Sequence, residues 1–205
     1  MLIERINAMK LHLLLLLLMV IFSSNTVYAQ CVKGDCQDGE GTFMNIDGSV
    51  YEGQFRDGKR EGAGTIIFPD GAKYNGQFKE NTYNGQGIYV FPNGEKYEGE
   101  FLNGKLNGSG IYSYADGSKY EGQFQNDMRR GGGTITYADG VIYNGQFHDN
   151  YRSGEGTLIF PDGKKIEGQF TNDKLDGKGT VTYPDGSKAI AEQTDSNTFK
   201  ITRGQ

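Results

Sequence analysis

The residues of this chain best suited to chemistry are acidic and amide side chains that recur at one position of a repeated motif. Every 23 residues that position holds a glutamate or an asparagine, at Glu52, Asn75, Glu98, Glu121, Asn144 and Glu167. If they lie on alternate strands of a sheet, neighbours stand about 9.6 Å apart, at the far end of the separation used by inverting glycosidases. Because the position recurs in every unit, we interpret it as a solvated row on the face opposite the aromatic residues.

Other catalytic chemistries lack the residues that they need. Beyond the N-terminal segment the only histidine is His148, which we expect in a loop between strands, and nucleophilic catalysis needs a histidine beside serine or cysteine. The glycine runs at 131–133 and 154–156 lack the third spaced glycine and the following helix of a phosphate-binding loop. The sequence therefore predicts a protein that is not an enzyme and has no cofactor.

Composition predicts an all-β fold. The 205 residues include 32 glycines but only 4 prolines, and 12% are aromatic without any tryptophan. Each glycine disfavours a helix by about 1 kcal/mol relative to alanine, whereas tyrosine, phenylalanine and β-branched residues favour strands. The formal net charge of −5 argues against nucleic acid as a partner.

Residues 1–29 have the pattern of a signal peptide. Arg5 and Lys10 precede the apolar run 11–22, and Ala29 is a small residue at the expected cleavage point. A helix of that apolar run spans about 18 Å, less than the hydrocarbon core of about 30 Å, so a permanent membrane span is disfavoured. We expect an exported protein, located in the periplasm, the cell envelope or the extracellular space.

Two cysteines, Cys31 and Cys36, follow this segment directly. In an oxidising compartment a pair so close in sequence favours a small structural disulfide. The alternative, half of a zinc site, needs two further ligands that the remaining histidine does not supply. We therefore predict a disulfide and no metal site.

A 23-residue repeat organises the rest of the chain. The motif Tyr51-Glu-Gly-Gln-Phe55 recurs in phase at 74–78, 97–101, 120–124, 143–147 and, with Ile166 for tyrosine, at 166–170. A Gly-x-Gly and then an Asp-Gly or Asn-Gly follow in each unit, as at 62–64 and 70–71. Such fixed spacing is typical of repeat architectures.

Each unit contains two predicted strands. Tyr51, Gly53 and Phe55 lie two residues apart and share one face of the first strand, as Ile66 and Phe68 do on the second. We expect six residues between these strands, and an Asp-Gly turn into the next unit. The strand glycines leave room for aromatic rings to lie across bare backbone.

The predicted architecture is an elongated, single-layer antiparallel sheet of tandem 23-residue β-hairpins. A part-repeat with the cysteine pair covers 30–48, six repeats cover 51–188, and a cap covers 189–205, where 197–203 is a candidate last strand. About 14 strands at about 4.8 Å each give a sheet roughly 65 Å long.

The motif order resembles the MORN repeat (membrane occupation and recognition nexus), a 23-residue hairpin of Tyr-x-Gly-x-Phe, Gly-x-Gly and Asp-Gly. The resemblance covers about residues 30–188, and the spacing around Cys31 and Cys36 resembles the start of exported bacterial members. It implies a scaffold for partner proteins or a protein that binds membrane lipids. In enzymes that carry such repeats the catalytic domain lies elsewhere in the chain.

Two rows of side chains are candidate recognition sites. The polar row is Glu52, Gln54, Asn75, Gln77, Glu98, Glu100, Glu121, Gln123, Asn144, Gln146, Glu167 and Gln169. The lysine row is Lys73, Lys96, Lys119, Lys165 and Lys188. We predict that the polar row binds an unidentified partner protein, with peripheral lipid binding through the lysines as the alternative. A solubilising surface is an equally good interpretation, and exposed tyrosine rings would favour binding whereas buried rings would disfavour it.

Overall fold

Residues 28–195 and 198–202, as described by a computed structural model, form one antiparallel sheet of 17 strands. The strands are β1 (Gln30–Gly34), β2 (Glu40–Met44), β3 (Val50–Arg56), β4 (Lys59–Ile67), β5 (Lys73–Lys79), β6 (Thr82–Val90), β7 (Lys96–Leu102), β8 (Lys105–Ser113), β9 (Lys119–Gln125), β10 (Met128–Thr136), β11 (Ile142–His148), β12 (Tyr151–Ile159), β13 (Lys165–Thr171), β14 (Lys174–Leu175), β15 (Lys178–Thr182), β16 (Lys188–Asp195) and β17 (Thr198–Thr202). Within these residues no helix is long and apolar enough to cross a membrane.

Strands pair in sequence order, which confirms the predicted all-β sheet of tandem hairpins. From β1 to β13 each strand pairs with the next; the short β14 and then β15 both pair with β13, and β16 and β17 continue the sheet. The sheet has more strands than the expected 14 because the second strand of the sixth unit is split into β14 and β15 and because two strands follow it. The expected signal peptide lies almost wholly outside the described residues.

The connection inside each unit is much shorter than predicted. Only Asp57 and Gly58 separate β3 from β4, and both have positive φ, 50° and 71°. Positive φ at both central residues defines a type I′ turn, whose twist matches that of the flanking strands. The expected loop of six residues is therefore wrong: the second strand begins earlier, and a register shift near Gly62 restores the pairing.

The connections between units are tight loops built on the Asp-Gly pairs. In the first, the Asp70 carboxylate accepts the backbone N–H of Ala72 at 2.9 Å. Gly71, with φ of 88°, donates its N–H to the Phe68 carbonyl at 3.0 Å. An aspartate that bonds its own backbone two residues on, followed by a glycine at positive φ, explains why this dipeptide closes each unit.

Tyrosine rings form the core on one face of the sheet, which we call the aromatic face. The first-strand tyrosines of five units, from Tyr51 to Tyr143, have no exposed surface. Each ring lies over two facing glycines: a Cβ added at Gly64 would stand 2.4 Å from the Tyr51 hydroxyl oxygen. That hydroxyl donates to the Gln54 carbonyl at 2.9 Å, so the buried O–H is satisfied. The glycines are needed because the phenol occupies the place of their side chains.

Edge-to-face ring contacts join each unit to the next. The Tyr51 ring is 5.1 Å from Phe55 of its own unit and 4.9 Å from Phe78 of the following unit, at 89° and 80°. The pattern continues to Tyr143, which lies between Phe147 and Phe170. Such contacts add about 0.5–1.5 kcal/mol each beyond the burial of area, so they couple the units along the sheet.

The two ends of the sheet differ from the repeats. At the N-terminal end Cys31 and Cys36 form a disulfide, and β1 pairs with β2 through a bulge. At the C-terminal end the small residues Ala189 and Ala191 take the positions of tyrosine and glycine. Phe199 of β17 reaches back across the aromatic face to the Phe160 ring, with centroids 6.4 Å apart.

Candidate interaction surface

The polar row and the lysine row lie on the same face of the sheet, opposite the aromatic face; we call it the polar face. Along β5, Lys73, Asn75 and Gln77 alternate with the buried Tyr74 and Phe78. Side chains two residues apart on a strand share a face, so both candidate rows form one surface.

Within the polar face, the carboxylates do not converge. The partner strand places Ile111 between Glu98 and Glu121, and threonine or isoleucine stands between the other members of this position in the same way. The carboxylates are therefore two strand spacings apart with a side chain between them.

Many polar-face groups already bond to their neighbours. The Asn75 amide donates to the Thr65 hydroxyl at 2.6 Å, and the Gln54 side chain accepts the Ala63 backbone N–H at 3.2 Å. The Gln123 amide donates to Ser109 at 2.8 Å. These contacts stay within the sheet and leave fewer groups for a partner.

Two lysines of the lysine row are paired with glutamates of the polar row. Lys96 Nζ lies 3.0 Å from the Glu98 carboxylate, and Lys119 Nζ lies 3.5 Å from that of Glu121. Exposed pairs of this kind add little stability, but they reduce the positive potential that an anionic lipid surface would sense.

His148 lies in a strand and not in the loop where we expected it. Because the hairpin turn has only two residues, His148 is the last residue of β11. Its Nδ1 is 3.4 Å from the Asp149 carboxylate, and its Nε2 is 3.2 Å from the Arg130 guanidinium. Within 28–195 and 198–202, no three His, Cys, Asp or Glu side chains are grouped closely enough to hold a metal ion.

The aromatic face carries a continuous run of half-buried rings near the middle of the sheet. This ring run consists of Tyr83, Tyr89, Phe91, Tyr112 and Tyr114. Successive centroids are 6.0, 4.7, 5.7 and 4.6 Å apart. The tyrosines of the first strands are fully buried, as a purely structural role requires, but these second-strand rings present surface to solvent. The sequence contained the ring pairs but did not show which of them stay exposed.

A carboxylate fixes one ring of the run. The Tyr112 hydroxyl donates to Glu95 at 2.7 Å, and this hydrogen bond holds the pKa of the Glu95 carboxyl below its usual value. Burial, followed by this bond, raises the pKa of Tyr112. The contact orients the Tyr112 ring and places a negative charge beside the ring run.

The aromatic face also carries a second row of side chains that the sequence pattern did not predict. One position of the second strand recurs with the repeat, and at Arg60, Tyr83, Arg129 and Arg152 its side chain lies over the buried tyrosine of its own unit and the phenylalanine of the next; we call this position the cover row. Its members are Arg60, Tyr83, Leu106, Arg129, Arg152 and Leu175. The Arg60 guanidinium is 5.8 Å from the Tyr51 ring and 5.6 Å from the Phe78 ring. The position keeps the 23-residue period, but its residue type varies and it fell in the expected loop.

Comparison with solved structures finds similarity to domains of two proteins. The TCP domain of SAS-4 (dCPAP) from Drosophila melanogaster, in complex with a proline-rich motif of Ana2, matches with a TM-score of 0.53 at 13% identity, over 83% of this chain and 94% of that one. The TCP10 domain of Danio rerio CPAP, in complex with a STIL peptide, matches at 19% identity over 80% and 84%, with a TM-score of 0.32. At 13% identity the likeness to the SAS-4 domain concerns the fold alone. No curated protein sequence matches the chain.

A family model matches the repeats themselves. The MORN repeat model matches residues 51–73, 74–96, 97–119, 120–142, 143–165 and 167–188. The sixth match begins one residue after Ile166, which stands where the other five units have tyrosine. These matches cover more than half of the chain, which therefore belongs to the MORN repeat family.

Proposed function

We propose that this protein is a non-catalytic scaffold that binds an extended segment of a partner protein on its aromatic face. The observation that carries the proposal is the ring run, Tyr83 to Tyr114, five half-buried rings in unbroken contact. Tyrosine and phenylalanine are enriched in protein interfaces because they bury a large area at a low cost in side-chain entropy. The polar face, in contrast, directs many of its hydrogen bonds and ion pairs to itself.

An extended segment fits this surface better than a globular partner. Aromatic-lined grooves bind extended proline-rich segments, whose polyproline II backbone is largely ordered before binding. The SAS-4 domain with the similar fold was solved with a proline-rich motif of Ana2 bound. That complex is a precedent for the fold, whereas the proposal for this chain rests on its own rings.

We also propose that the protein acts outside the cytoplasm. The pattern of residues 1–29 and the disulfide between Cys31 and Cys36 support this location, because structural disulfides persist in oxidising compartments. Fractionation of the native host, with a readout for free thiols at the two cysteines, tests it. Recovery of the full-length chain with reduced cysteines in the cytoplasm would contradict it.

Variants of the two faces test the main proposal. The aromatic-face variant is Phe91→Ala with Tyr114→Ala, and the matched polar-face variant is Glu98→Gln with Glu121→Gln. We crosslink each protein in its native envelope, identify the partner and measure its affinity. We expect the aromatic-face variant to lose affinity about tenfold, the loss typical of a removed aromatic anchor, and the polar-face variant to bind like the parent.

Two other outcomes would replace the proposal. Loss of the partner only in the polar-face variant would establish the polar row as the binding site. Binding to anionic vesicles that weakens with salt and disappears after Lys73, Lys165 and Lys188 are changed to Gln would establish the lipid alternative. Because glutamates share the face with these lysines, we expect no such vesicle binding.

A further inference from the structure

The cover row varies in chemistry while the scaffold beneath it stays constant. Five units present the same tyrosine, glycines and phenylalanine, and the sixth has Ile166 for tyrosine, but the cover-row residue is in turn Arg, Tyr, Leu, Arg, Arg and Leu along the sheet. Because the cover row varies while the packing beneath it recurs, this row can determine which partner the repeat surface binds.

The three arginines of the cover row differ in how their charge is compensated. Arg152 is 8% exposed and lies 3.3 Å from the Asp173 carboxylate of the following turn. Arg60 and Arg129 meet asparagines, Asn81 and Asn150, at the same turn position. In all three units the turn side chain accepts the arginine backbone N–H at 2.8–2.9 Å, so only the charge of that side chain differs.

Arg60 and Arg129 therefore lack the close carboxylate that compensates Arg152. Each guanidinium donates to the backbone carbonyl of its turn asparagine, at 3.0 Å from Arg60 and 2.5 Å from Arg129. Within the described part of the chain neither has a carboxylate at ion-pair distance. Across the open hollow above Arg60, the Asp47 carboxylate accepts hydrogen bonds from the N–H and O–H of Ser49 and attracts Arg60 only from beyond ion-pair distance. A guanidinium has five N–H donors, so donors remain for a ligand.

Apolar surface lies between these two charges. Tyr83 stacks on the buried Tyr74 at 3.9 Å and also belongs to the ring run, and Leu106 packs against the core one unit further. From Arg60 on β4 to Arg129 on β10 there are six strand spacings, or about 29 Å. An extended chain that rises about 3.3 Å per residue covers this distance in about nine residues.

We propose that the aromatic face selects an extended segment with two acidic residues about nine positions apart and apolar residues between them. The acidic side chains bind the guanidinium groups of Arg60 and Arg129, and the apolar residues contact Tyr83 and Leu106. This inference rests on the proposed function and specifies the partner of the same face. The overall charge of the protein is negative, so the attraction comes from these two groups and not from its net charge.

Selection of displayed random peptides on the full-length protein tests the inference, with peptides long enough to carry residues at the required spacing. We expect enriched peptides to share an acidic pair flanking apolar residues. The test variant is Asn81→Asp with Asn150→Asp, which gives Arg60 and Arg129 the carboxylate that Arg152 already has. We expect the selected peptides to bind this variant about tenfold more weakly, because a charge-assisted contact is lost at one or both ends.

The matched control is Asn103→Asp with Asn126→Asp, which adds the same charge at the first position of two turns. Asn103 and Asn126 accept no backbone N–H from a cover-row residue, so we expect affinity within about twofold of the parent. Circular dichroism of all variants checks that the sheet is intact. Enriched peptides without an acidic pair, or equal binding to the test variant, would overturn the inference and leave the proposed function standing. A library from which no peptide is enriched would contradict the proposed function itself.

Discussion

At the scale of single residues, the fold depends on one fit: a phenol ring lying over two glycines that face each other across a strand pair. A Cβ added at Gly133 would stand 2.4 Å from the Tyr120 hydroxyl oxygen. That hydroxyl donates to the Gln123 carbonyl at 3.0 Å. Glycine in a strand normally weakens the sheet, but here the ring replaces the missing side chain and buries the backbone. Tyrosine and glycine therefore form one unit of packing.

The run Gly131-Gly132-Gly133 offers a test with its own control. An alanine at Gly133 would force the Tyr120 ring away, and we expect it to lower the free energy of unfolding by about 2 kcal/mol, as overpacking does. An alanine at Gly132 meets no atom closer than 3.8 Å and should raise it by about 0.5 kcal/mol. Urea denaturation of both variants decides the matter, and equal effects would show that the ring does not exclude a side chain there.

At the scale of the strand and its turn, each unit is a long hairpin closed by two residues at positive φ. The two-residue turns consist of Asn, Asp and Gly, with one exception: the turn of the second unit begins with Glu80, at a φ of 46°. Asparagine adopts this conformation more readily than glutamate because its short side chain bonds locally to the backbone.

Replacing Glu80 with Asn should therefore stabilise the protein by about 0.5 kcal/mol. The exposed ion pair with Lys59, at 3.9 Å, contributes too little to offset this gain. The opposite change, Glu80→Val, should destabilise the protein, because a β-branched residue resists positive φ. Thermal unfolding monitored by circular dichroism measures both, and a stabilising valine would contradict the turn geometry.

The hairpin also shows what the sequence could predict and what it could not. The period of two within Tyr51-Glu-Gly-Gln-Phe55 assigned the faces correctly, and the Asp-Gly pairs marked the turns between units. The turn inside the unit was missed because Asp57-Gly58 looked like part of a loop. That error hid His148 at a strand end and the cover row, since Arg60 and its equivalents lie just beyond this turn. Their varied residue types gave no pattern to detect.

At the scale of the whole molecule, buried phenols are spread evenly along the sheet, one in each of five consecutive units. Burial raises the pKa of Tyr51, Tyr120 and Tyr143 to about 12, from an ordinary value of about 10. As the pH rises, the phenols of the unfolded chain therefore lose their protons at a lower pH than the buried phenols of the folded sheet. The stability that they contribute is therefore complete below about pH 10 and is lost between about pH 10 and pH 12.

We expect the sheet to unfold in this alkaline window, with ionisation and unfolding occurring together. In one titration, the tyrosinate absorbance of the buried rings and the circular dichroism of the sheet should change at the same pH. The same absorbance titration in strong denaturant should move to about pH 10, where free phenols ionise. Ionisation of all the tyrosines near pH 10 with the sheet signal unchanged would contradict the burial of these rings.

The uniform register of the repeats has a consequence for how such a protein changes over evolutionary time. Unequal recombination can remove or duplicate 23 residues within 51–188. Because the repeats share one register, the new junction keeps the same strand pairing, ring contacts and turns. Each event between Arg60 and Arg129 shortens or lengthens their separation by about 9.6 Å, two strand spacings. Descendants with the same fold would thus select partner segments whose acidic residues are separated by a different number of positions.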